Sequence, residues 1–446
     1  MYWSKYNILH KSEKYGYLLF NTMSQVFLKI PDSEIDVWQE LRTNPESYNK
    51  IKGSDFLFKS RIIVPDQEED LNMYVTDVLK NRFNSADVAL TVLPTRGCNF
   101  GCIYCYEIER PHIQMDKETE EGMIRFLESN PNMKRLNVVW YGGEPLLNFQ
   151  SIERLSRSFL KMGIEYTARI ITNGYLLTKE TADLFESLHI EKVQITFDGT
   201  ENTHNSRRPL LDGGATYRRI LDNMKYLLAV NPSIHIDLRT NIDRRNMQEY
   251  TEFLRQFKQE INDPRVRTYP GFVSDLLSNE CVDPVLNICE GGLKAEFMLN
   301  LYKNHGIAIE AFLPQYRIHS CVANKYFGFV IGPEGEVYKC WRSVGHPDQV
   351  VGNVKDGAFD MYKYANYLSN GDFTRDPKCM ACTFVAICGG GCPLIRIRNK
   401  RENADINPCC PEKTHMAKLM EMRYEMFLDS NKNDTSIHPT GVIAEH

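Results

Sequence analysis

From Val88 onward the sequence alternates between short apolar runs and longer amphipathic stretches, and this alternation restricts the fold more than any other feature. The short runs are rich in β-branched and aromatic residues, as buried strands are. The longer stretches carry apolar residues at helical spacing. Predicted strands span residues 88–94, 136–141, 168–172, 192–197, 233–240 and 266–273, and predicted helices span 118–128, 152–161, 180–188, 217–230 and 247–259. Successive βα units predict an α/β fold whose parallel sheet curves into a partial (β/α)6 TIM-like barrel.

Polar and glycine-rich segments follow five of these strands, at the end where parallel barrels carry their chemistry. A CxxxCxxC segment follows the first strand. The later segments are Gly142-Gly143-Glu144-Pro145, Thr172-Asn173-Gly174, Asp198-Gly199 and Arg239-Thr240-Asn241. Each of them alone is also a good turn sequence. Their convergence at one mouth of the barrel is what predicts an active site.

The CxxxCxxC segment supplies three thiols, from Cys98, Cys102 and Cys105. Three thiolates leave a four-iron cluster one ligand short, so that one iron is open to a small molecule. This spacing resembles the signature of the radical S-adenosylmethionine (SAM) enzymes, and the resemblance covers residues 88 to 275. It implies that the open iron holds SAM through its amino and carboxylate groups.

The same resemblance assigns roles to the other loops. Gly142, Gly143 and Glu144 match the family's Gly-Gly-Glu motif, which receives the methionine ammonium of SAM. Tyr104 matches a position whose backbone contacts adenine. Asn173, Thr196 and Asp198 are expected near the ribose, and Arg239 near the SAM carboxylate. Trp140 and Tyr141 are expected in the core.

A second cysteine set lies further along the chain. It comprises Cys321, Cys340, Cys379, Cys382, Cys388, Cys392, Cys409 and Cys410. The pattern resembles the SPASM extension of radical SAM enzymes, which implies two auxiliary 4Fe–4S clusters and three clusters in all. Cys379, Cys382, Cys388 and either Cys409 or Cys410 would bind one of them. Cys321, Cys340 and Cys392 would bind the other, with an open iron or a non-cysteine ligand.

A zinc ribbon is the alternative for this second set, because CxxC pairs also bind tetrahedral zinc. Iron analysis separates the two, since three cubane clusters require roughly twelve irons per chain. Cys281 and Cys289 fit neither pattern and are expected to be buried apolar residues beside a bridging helix over 284–303.

The first 85 residues contain two alternating runs, 15–21 and 24–30, that predict a hairpin. A helix after Pro31, a short extended run over 61–64 and a linking helix over 71–83 complete a small α+β, winged-helix-like module. In pattern and position it resembles the RiPP recognition element of peptide-modifying radical SAM enzymes. Such an element captures the leader of a precursor peptide by adding it to a sheet edge. A decorative domain or a dimerisation surface is the alternative.

The 446 residues exceed one ordinary core and predict several domains. The predicted division is 1–85 for the recognition module, 86–275 for the barrel, 276–315 for a bridging region, 316–425 for the SPASM domain and 426–446 for a disordered polar tail.

Composition limits the partners. A formal charge of −5 suggests neither nucleic acid nor an anionic membrane as a partner. The sequence contains no apolar run of 18 residues and no signal-peptide core, which predicts a cytoplasmic protein. Thirteen cysteines in such a protein favour clusters over disulfides.

The resemblance therefore implies an enzyme that oxidatively modifies a ribosomally synthesised precursor peptide after hydrogen abstraction by a 5′-deoxyadenosyl radical. Thioether formation, C–C or C–O crosslinking and side-chain oxidation all suit two additional clusters. The expected partners are the leader-bearing precursor and a reductant such as flavodoxin or ferredoxin. An anaerobic sulfatase-maturating enzyme, which converts Cys or Ser to formylglycine, is the main alternative. A non-catalytic multi-cluster electron carrier is a third hypothesis.

Overall fold

A computed structural model describes residues 1–107, 111–273, 291–307, 313–318 and 321–430. Cys281, Cys289 and the first residues of the predicted bridging helix lie outside the described residues, as do residues 431–446. Among the helices of the described ranges, none has both the length and the apolarity needed to cross a membrane.

The N-terminal residues form a small α+β unit. Its strands are β1 (Tyr2–Trp3), β2 (Asn7–Ser12), β3 (Gly16–Asn21), β4 (Phe27–Ile30) and β5 (Ile63–Val64), and its helices are α1 (Ile35–Thr43), α2 (Asp55–Lys59) and α3 (Glu69–Arg82). Strands β2, β3 and β4 form an antiparallel sheet in that order, while β1 pairs with β5. The predicted hairpin is therefore present as β3 and β4, and β2 is an additional strand that the sequence analysis did not predict.

The middle of the chain alternates strands and helices as predicted. The strands are β6 (Asp87–Val92), β7 (Arg135–Trp140), β8 (Glu165–Thr172), β9 (Ile190–Thr196), β10 (His235–Ile242) and β11 (Val266–Phe272). The helices are α4 (Lys117–Glu128), α5 (Phe149–Leu160), α6 (Lys179–Ala182), α7 (Glu201–Arg207), α8 (Tyr217–Val230) and α9 (Tyr250–Glu260). All six strands are parallel and lie side by side in chain order, which confirms the predicted parallel α/β sheet.

One helix prediction is wrong in this region, and one helix was not predicted. The helix predicted over 180–188 ends at Ala182, because Leu184 and Phe185 donate their N–H groups to carbonyls only three residues back and the chain continues as turns. Helix α7 was not predicted, since its polar sequence has no apolar stripe.

The main core lies between the sheet and its helices. On β8 the side chains of Tyr166, Ala168 and Ile170 are buried in this core, whereas Thr167 and Arg169 on the alternate face are more exposed. We call the face that turns away from the helices the inner face of the sheet. It carries the polar side chains of the barrel strands, so the apolar core supports a polar interior.

The C-terminal segment extends the same sheet. Its strands are β12 (Gly328–Ile331), β13 (Glu336–Tyr338) and β14 (Gly352–Asn353). Strand β12 pairs in parallel with β6, and β13 and β14 follow as antiparallel neighbours, so the sheet has nine strands among the described residues. Its helices are α10 (Gly291–His305), α11 (Met361–Asn370), α12 (Pro377–Met380), α13 (Val385–Cys388), α14 (Pro393–Glu402) and α15 (Met416–Ser430). The second cysteine set is thus attached to the barrel through shared strands.

Helix α15 corrects the predicted boundary of the tail. It continues to Ser430, so residues 426–430 are helical and not part of a disordered tail. This helix covers one face of the N-terminal sheet, where Leu18 and Phe20 pack with Met420. The opposite face of that sheet packs on its own helices through Leu19 and Trp38. The N-terminal sheet therefore lies between its own helices and the C-terminal helix.

Helix α3 joins the N-terminal unit to the segment that carries the second cysteine set. The Tyr74 hydroxyl donates to the carbonyls of Arg317 and Val385, at 3.0 and 3.1 Å. Arg82 forms a 2.8 Å ion pair with Asp372, with only 2% and 9% of the two side chains exposed. A buried ion pair is costly to break, because the remaining charge has no partner.

We expect Arg82→Met to lower the free energy of unfolding by about 3–5 kcal/mol, since it leaves the Asp372 carboxylate without its cation. The double variant Arg82→Met/Asp372→Asn should recover part of this loss. Arg157→Met is the matched control, because the Arg157–Glu153 pair is exposed on α5 and such pairs contribute roughly 0.5 kcal/mol. Chemical denaturation measures the free energy of unfolding of all three variants. An equal loss in Arg82→Met and Arg157→Met would contradict a stabilising role for the buried Arg82–Asp372 pair.

Candidate active site and cluster ligands

The loop with Cys98, Cys102 and Cys105 follows β6 and is held by backbone hydrogen bonds. The N–H groups of Gly101 and Ile103 donate to the carbonyls of Pro209 and Arg207. Cys98 and Cys102 pack against the main core, and all three cysteines are partly exposed. The loop is therefore fixed on its outer side, while its thiols remain accessible at the mouth of the barrel.

The loop after β7 packs directly on this cysteine loop. Glu144 N–H donates to the Gly97 carbonyl at 2.8 Å. A Cβ atom at Gly143 would lie 2.2 Å from the same oxygen, and Gly142 has a φ of +130° with the Thr95 carbonyl similarly close. Glycine is required at both positions by the contact between the two loops. The Gly-Gly-Glu motif is expected to receive the methionine ammonium of SAM, and the structure adds this contact between two loops of the chain.

Glu144 is fully buried at the centre of the mouth. Its Oε1 accepts hydrogen bonds from the Thr172 hydroxyl at 2.6 Å and from Leu146 N–H at 3.0 Å, and its Oε2 accepts one from Asn173 N–H at 2.7 Å. Burial raises the pKa of the Glu144 carboxyl to about 6, although these hydrogen bonds and the charge of Arg208 oppose the rise. The carboxylate is thus oriented and mostly ionised at neutral pH.

Asn173 links three loops. Its side-chain amide donates to Asn99 Oδ1 at 2.8 Å, and its backbone N–H donates to Glu144. Thr196, at the end of β9, is 8% exposed and lies beside Arg239 in the sheet register. Both residues therefore lie at the mouth, as the sequence predicts.

Asp198 occupies a different environment from the one expected. It is fully buried, its Oδ2 accepts from Arg207 at 3.3 Å, and its Oδ1 accepts from Asn241 N–H at 3.2 Å. Arg207 also pairs with buried Asp243 at 2.6 Å. Neighbouring His204 accepts from Asp198 N–H, and burial holds its pKa well below 6.5, so it is neutral. This network favours a structural role for Asp198 over the ribose contact that the resemblance implies.

Arg208 is a functional candidate that the sequence analysis missed. Only 7% of it is exposed, and its Nη1 donates to the Tyr104 hydroxyl at 2.5 Å. Its buried Nε has no hydrogen-bond partner among the described residues. Its charge acts on both Cys102 and Glu144. The sequence signal for Arg208 is the arginine pair that follows His204 by one helical turn. Composition alone does not distinguish such a pair from the solvent-exposed end of a helix.

Arg239, expected near the SAM carboxylate, lies on the inner face of β10. Its Nε donates to Asn241 Oδ1 at 2.8 Å, and its guanidinium covers Gly271 on β11. Arg208, rather than Arg239, is the cation that acts on Glu144.

The second cysteine set divides into two groups. Five thiols line one cavity of about 860 Å³, namely those of Cys379, Cys382, Cys388, Cys409 and Cys410. Cys388 is hydrogen-bonded to Cys410, and Cys409 is more exposed. This contact favours Cys410 over Cys409 as the companion of Cys388.

Two cations reach the sulfur atoms of this cavity. Arg396 Nη2 donates to Cys379 Sγ at 2.8 Å, and its Nη1 pairs with Asp376 at 2.8 Å. Lys413 Nζ lies 3.7 Å from Cys382 Sγ. Burial raises the pKa of the Cys379 thiol to about 11 and outweighs the charge of Arg396, which lowers this pKa.

Cys321, Cys340 and Cys392 form the other group. Burial raises the pKa of the Cys340 thiol to about 12, and nearby Cys321 and Cys392 contribute to this rise, which places the three thiols close together. Cys392 does not line the 860 Å³ cavity. Within the described part of the chain there is no cluster of three or more His, Cys, Asp or Glu side chains suited to a single metal ion.

Aromatic side chains connect the first cysteine loop with the second set. The Tyr106 hydroxyl is hydrogen-bonded to that of Tyr141, and Arg342 lies 5.0 Å from the Tyr106 ring. The Tyr141 and Trp341 rings are 5.3 Å apart. Trp140 is a core residue as predicted. Tyr141 packs against a smaller core cluster that includes Leu93 and Val330, and it also contacts Trp341 beside Cys340.

Residues 92–257 match the family model of the Radical SAM superfamily. This part of the chain is similar to a radical SAM domain. The matched residues include the cysteine loop, the Glu144 loop and the strands up to β10. This chain is also similar to the radical SAM cyclopropyl synthase TigE of Paramaledivibacter caminithermalis, with 23% identity over 83% of this chain and 82% of that protein. It is 24% identical to the cysteine-type anaerobic sulfatase-maturating enzyme of Clostridium novyi, over 69% of this chain and 86% of that protein. The protein is an enzyme.

Solved structures share the fold beyond the radical SAM domain. Native anSMEcpe with bound AdoMet superposes with a TM-score of 0.60 at 18% identity, covering 77% of this chain and 99% of that one. SuiB of Streptococcus suis bound to S-adenosylmethionine gives a TM-score of 0.50 at 16% identity, covering 88% of this chain and 95% of that one.

We expect Gly143→Ala to disrupt the mouth of the radical SAM domain, because the added Cβ would collide with the Gly97 carbonyl. Gly101→Ala is the matched control within the cysteine loop, since its nearest contact would be 3.7 Å away. The melting temperature should fall by several degrees for Gly143→Ala and should stay close to the wild-type value for the control. Equal melting temperatures for the two variants would show that the loop contact is not restrictive.

Proposed function

We propose that this enzyme is a radical SAM maturase that oxidatively modifies a ribosomally synthesised precursor peptide. The observation that carries the proposal is the meeting of three cysteine thiols, buried Glu144 and partly unpartnered Arg208 at one barrel mouth. The relatives named as a cyclopropyl synthase and as sulfatase-maturating enzymes support a maturase. The bond formed is a thioether, a C–C or C–O crosslink, or an oxidised side chain.

The donor set at the mouth fits an iron–sulfur cluster with bound SAM. Cys98, Cys102 and Cys105 supply three thiolates for a 4Fe–4S cluster, which leaves one iron for SAM. Glu144 suits the ammonium of SAM, and the Nε of Arg208, which has no hydrogen-bond partner in the described ranges, suits its carboxylate. Tyr104 and Asn173 would lie beside the adenosine. When bound, the cluster supplies the electron that cleaves SAM to methionine and a 5′-deoxyadenosyl radical.

The second cysteine set fits two auxiliary clusters. Cys379, Cys382, Cys388 and Cys410 would hold one of them, where Arg396 and Lys413 offset thiolate charge. Cys321, Cys340 and Cys392 would hold the other at the edge of the barrel interior. Such clusters accept an electron from an oxidised substrate, which suits a net oxidation.

The rest of the barrel positions the peptide. The polar inner face offers hydrogen bonds to a peptide segment, and the packed core behind it fixes the strands. Holding the reacting C–H group close to the radical is what accelerates the step, and the enclosing walls limit access of water.

The N-terminal unit supports leader capture through strand β4. Asn21 N–H donates to the Val26 carbonyl, so alternation along the hairpin directs the N–H groups of Phe27 and Lys29 away from β3. Within the described part of the chain, β4 is an edge strand of its sheet. A leader added there would gain main-chain hydrogen bonds, which is how peptides bind sheet edges.

A sulfatase-maturating enzyme is the second candidate, favoured by the similarity to the Clostridium novyi enzyme. Native anSMEcpe has also been solved with bound AdoMet and the Cp18Cys peptide. Deletion of residues 1–85 does not separate the two functions cleanly. It would expose the apolar face of α15 and break the Arg82–Asp372 pair.

The central experiment is an anaerobic reaction of the iron-loaded enzyme with SAM, dithionite and a synthetic leader-bearing precursor peptide. We expect 5′-deoxyadenosine and a mass change in the peptide. A sulfatase peptide modified in its place would favour the second candidate. Absence of 5′-deoxyadenosine with any peptide would favour an electron carrier.

SAM affinity should depend on pH through Glu144. The pKa of the free carboxyl is about 6, and only the ionised form attracts the SAM ammonium. Affinity is therefore reduced below this pKa and rises to a plateau above it, which predicts roughly fourfold weaker binding at pH 5.5 than at pH 7.5. Glu144→Gln should bind SAM weakly at both pH values. Anaerobic equilibrium dialysis measures both, and an equal pH step in the variant would rule out Glu144 as its origin.

Lys29→Pro tests leader capture without removing the N-terminal unit. Proline is tolerated where the N–H group points out of a sheet edge, but it cannot donate to an added strand. We expect roughly tenfold weaker binding of the labelled full-length precursor, measured by fluorescence anisotropy. Lys29→Thr keeps the N–H group and loses the same lysine side chain, so it should bind within about twofold of the wild type. Equal binding by the two variants would exclude β4 as the leader strand.

A further inference from the structure

The inner face of the barrel sheet carries a row of neighbouring side chains at one level. Val139 pairs with Arg169 in the register of β7 and β8, and Arg169 pairs with Lys192 in the register of β8 and β9. Side chains at paired positions of parallel strands point to the same face. Arg169 and Lys192 are therefore adjacent cations on the inner face.

This row borders a cavity of about 570 Å³ inside the barrel. Its polar lining includes Asn137, Thr167, Arg169 and Lys192, and its far wall is formed by Cys321 and Trp341. The cavity thus lies between the polar sheet face and the segment with the second cysteine set. A peptide segment that enters the barrel interior would pass this row.

Most polar groups of the inner face already have partners within the protein. Thr167 donates to Asn137 at 3.0 Å, and Lys192 pairs with Asp237 at 2.8 Å. Tyr269 donates to Gln194 at 2.9 Å. These contacts fix the amides, the lysine and the phenol in place. They also remove Asp237 as a free counter-charge.

Arg169 differs from these residues. Its guanidinium has no hydrogen-bond or ion-pair partner in the described ranges, although five N–H donors are available to it. Glu191 also lines the cavity and is exposed, as Arg169 is, but no ion pair joins the two residues within those ranges.

We propose that Arg169 binds a carboxylate of the substrate peptide and thereby selects an acidic substrate. A planar guanidinium forms two parallel hydrogen bonds with a carboxylate, and this pairing is stronger and more directional than one with a neutral amide. The carboxylate belongs either to an Asp or Glu side chain near the modified residue or to the C-terminus of the peptide. This inference rests on the proposed function, and it defines the substrate class of the same site.

The test measures KM and kcat of the iron-loaded enzyme with the precursor peptide that it modifies in the anaerobic reaction described above. One set of peptides replaces each acidic residue with its amide, and another peptide carries a C-terminal amide. For the wild type, one of these changes should raise KM roughly 10- to 100-fold. A side-chain change identifies Asp or Glu as the source, and the terminal amide identifies the C-terminus.

Enzyme variants assign this effect to Arg169. Arg169→Gln should raise KM for the natural peptide by a similar factor and should no longer respond to the sensitive change in the peptide. Arg169→Lys should be intermediate, because it keeps the charge and loses the paired geometry. If the source is a side chain, Arg169→Glu should recover activity with a lysine at that peptide position. Arg157→Gln on the outer surface of α5 is the matched control and should behave like the wild type.

Two further readouts separate the outcomes. Iron content and uncoupled 5′-deoxyadenosine formation should be unchanged in Arg169→Gln. If Arg169→Gln had the same KM as the wild type for every peptide, the inference would be overturned. Loss of iron from that variant would also overturn it. A wild-type enzyme that cleaves SAM but modifies no peptide would overturn the proposed function and the inference with it.

Discussion

The active-site mouth depends on one close approach between two backbone segments. The loop after β7 lies so near the cysteine loop that a side chain at Gly143 would overlap the Gly97 carbonyl, and the Glu144 N–H group donates to that same oxygen. This contact places the Glu144 carboxylate beside the cysteine thiols. Asn173 then returns a hydrogen bond to Asn99 in the cysteine loop. Three loops are thus fixed to one another by the chain itself, which is the preorganisation that an active site requires.

A second level of organisation comes from the extension of the sheet. Because β12 pairs with β6, the strand that leads into the first cysteine loop is bonded directly to the segment that carries the second cysteine set. The contact between Tyr141 and Trp341 adds a second connection between these two segments, at the mouth of the barrel. The polar inner face is therefore bounded on one side by Glu144 and Arg208 and on the other by Cys321. A group bound between these two boundaries lies in a space enclosed by the segments that carry the two cysteine sets.

Much of this arrangement could be predicted from the sequence, because strands, amphipathic helices and cysteine spacings are local patterns. The parallel sheet, the convergence of Glu144 and Asn173 and the grouping of Cys388 with one of the adjacent Cys409 and Cys410 follow from such patterns, whereas the choice of Cys410 comes from its contact with Cys388 in the structure. Contacts between distant segments could not be predicted in this way. The pairing of β12 with β6 and the course of α15 are set by tertiary packing. The roles of Asp198 and Arg208 also depend on the fold. Only the structure shows that Asp198, expected near the ribose, accepts a hydrogen bond from Arg207. Only the structure shows that the Nε of Arg208 has no partner among the described residues.

The position of the N-terminal sheet has a consequence for engineered chimeras. Its two faces contact different parts of the chain, since Leu19 packs on its own helices and Leu18 packs with α15. Tyr74 further binds the carbonyl of Val385, on the same short helix as Cys388. An N-terminal unit transplanted from another protein would have to reproduce this outer surface as well as the edge of β4. Transfer of α15 together with the unit would preserve the apolar contact and so permit its exchange as one piece.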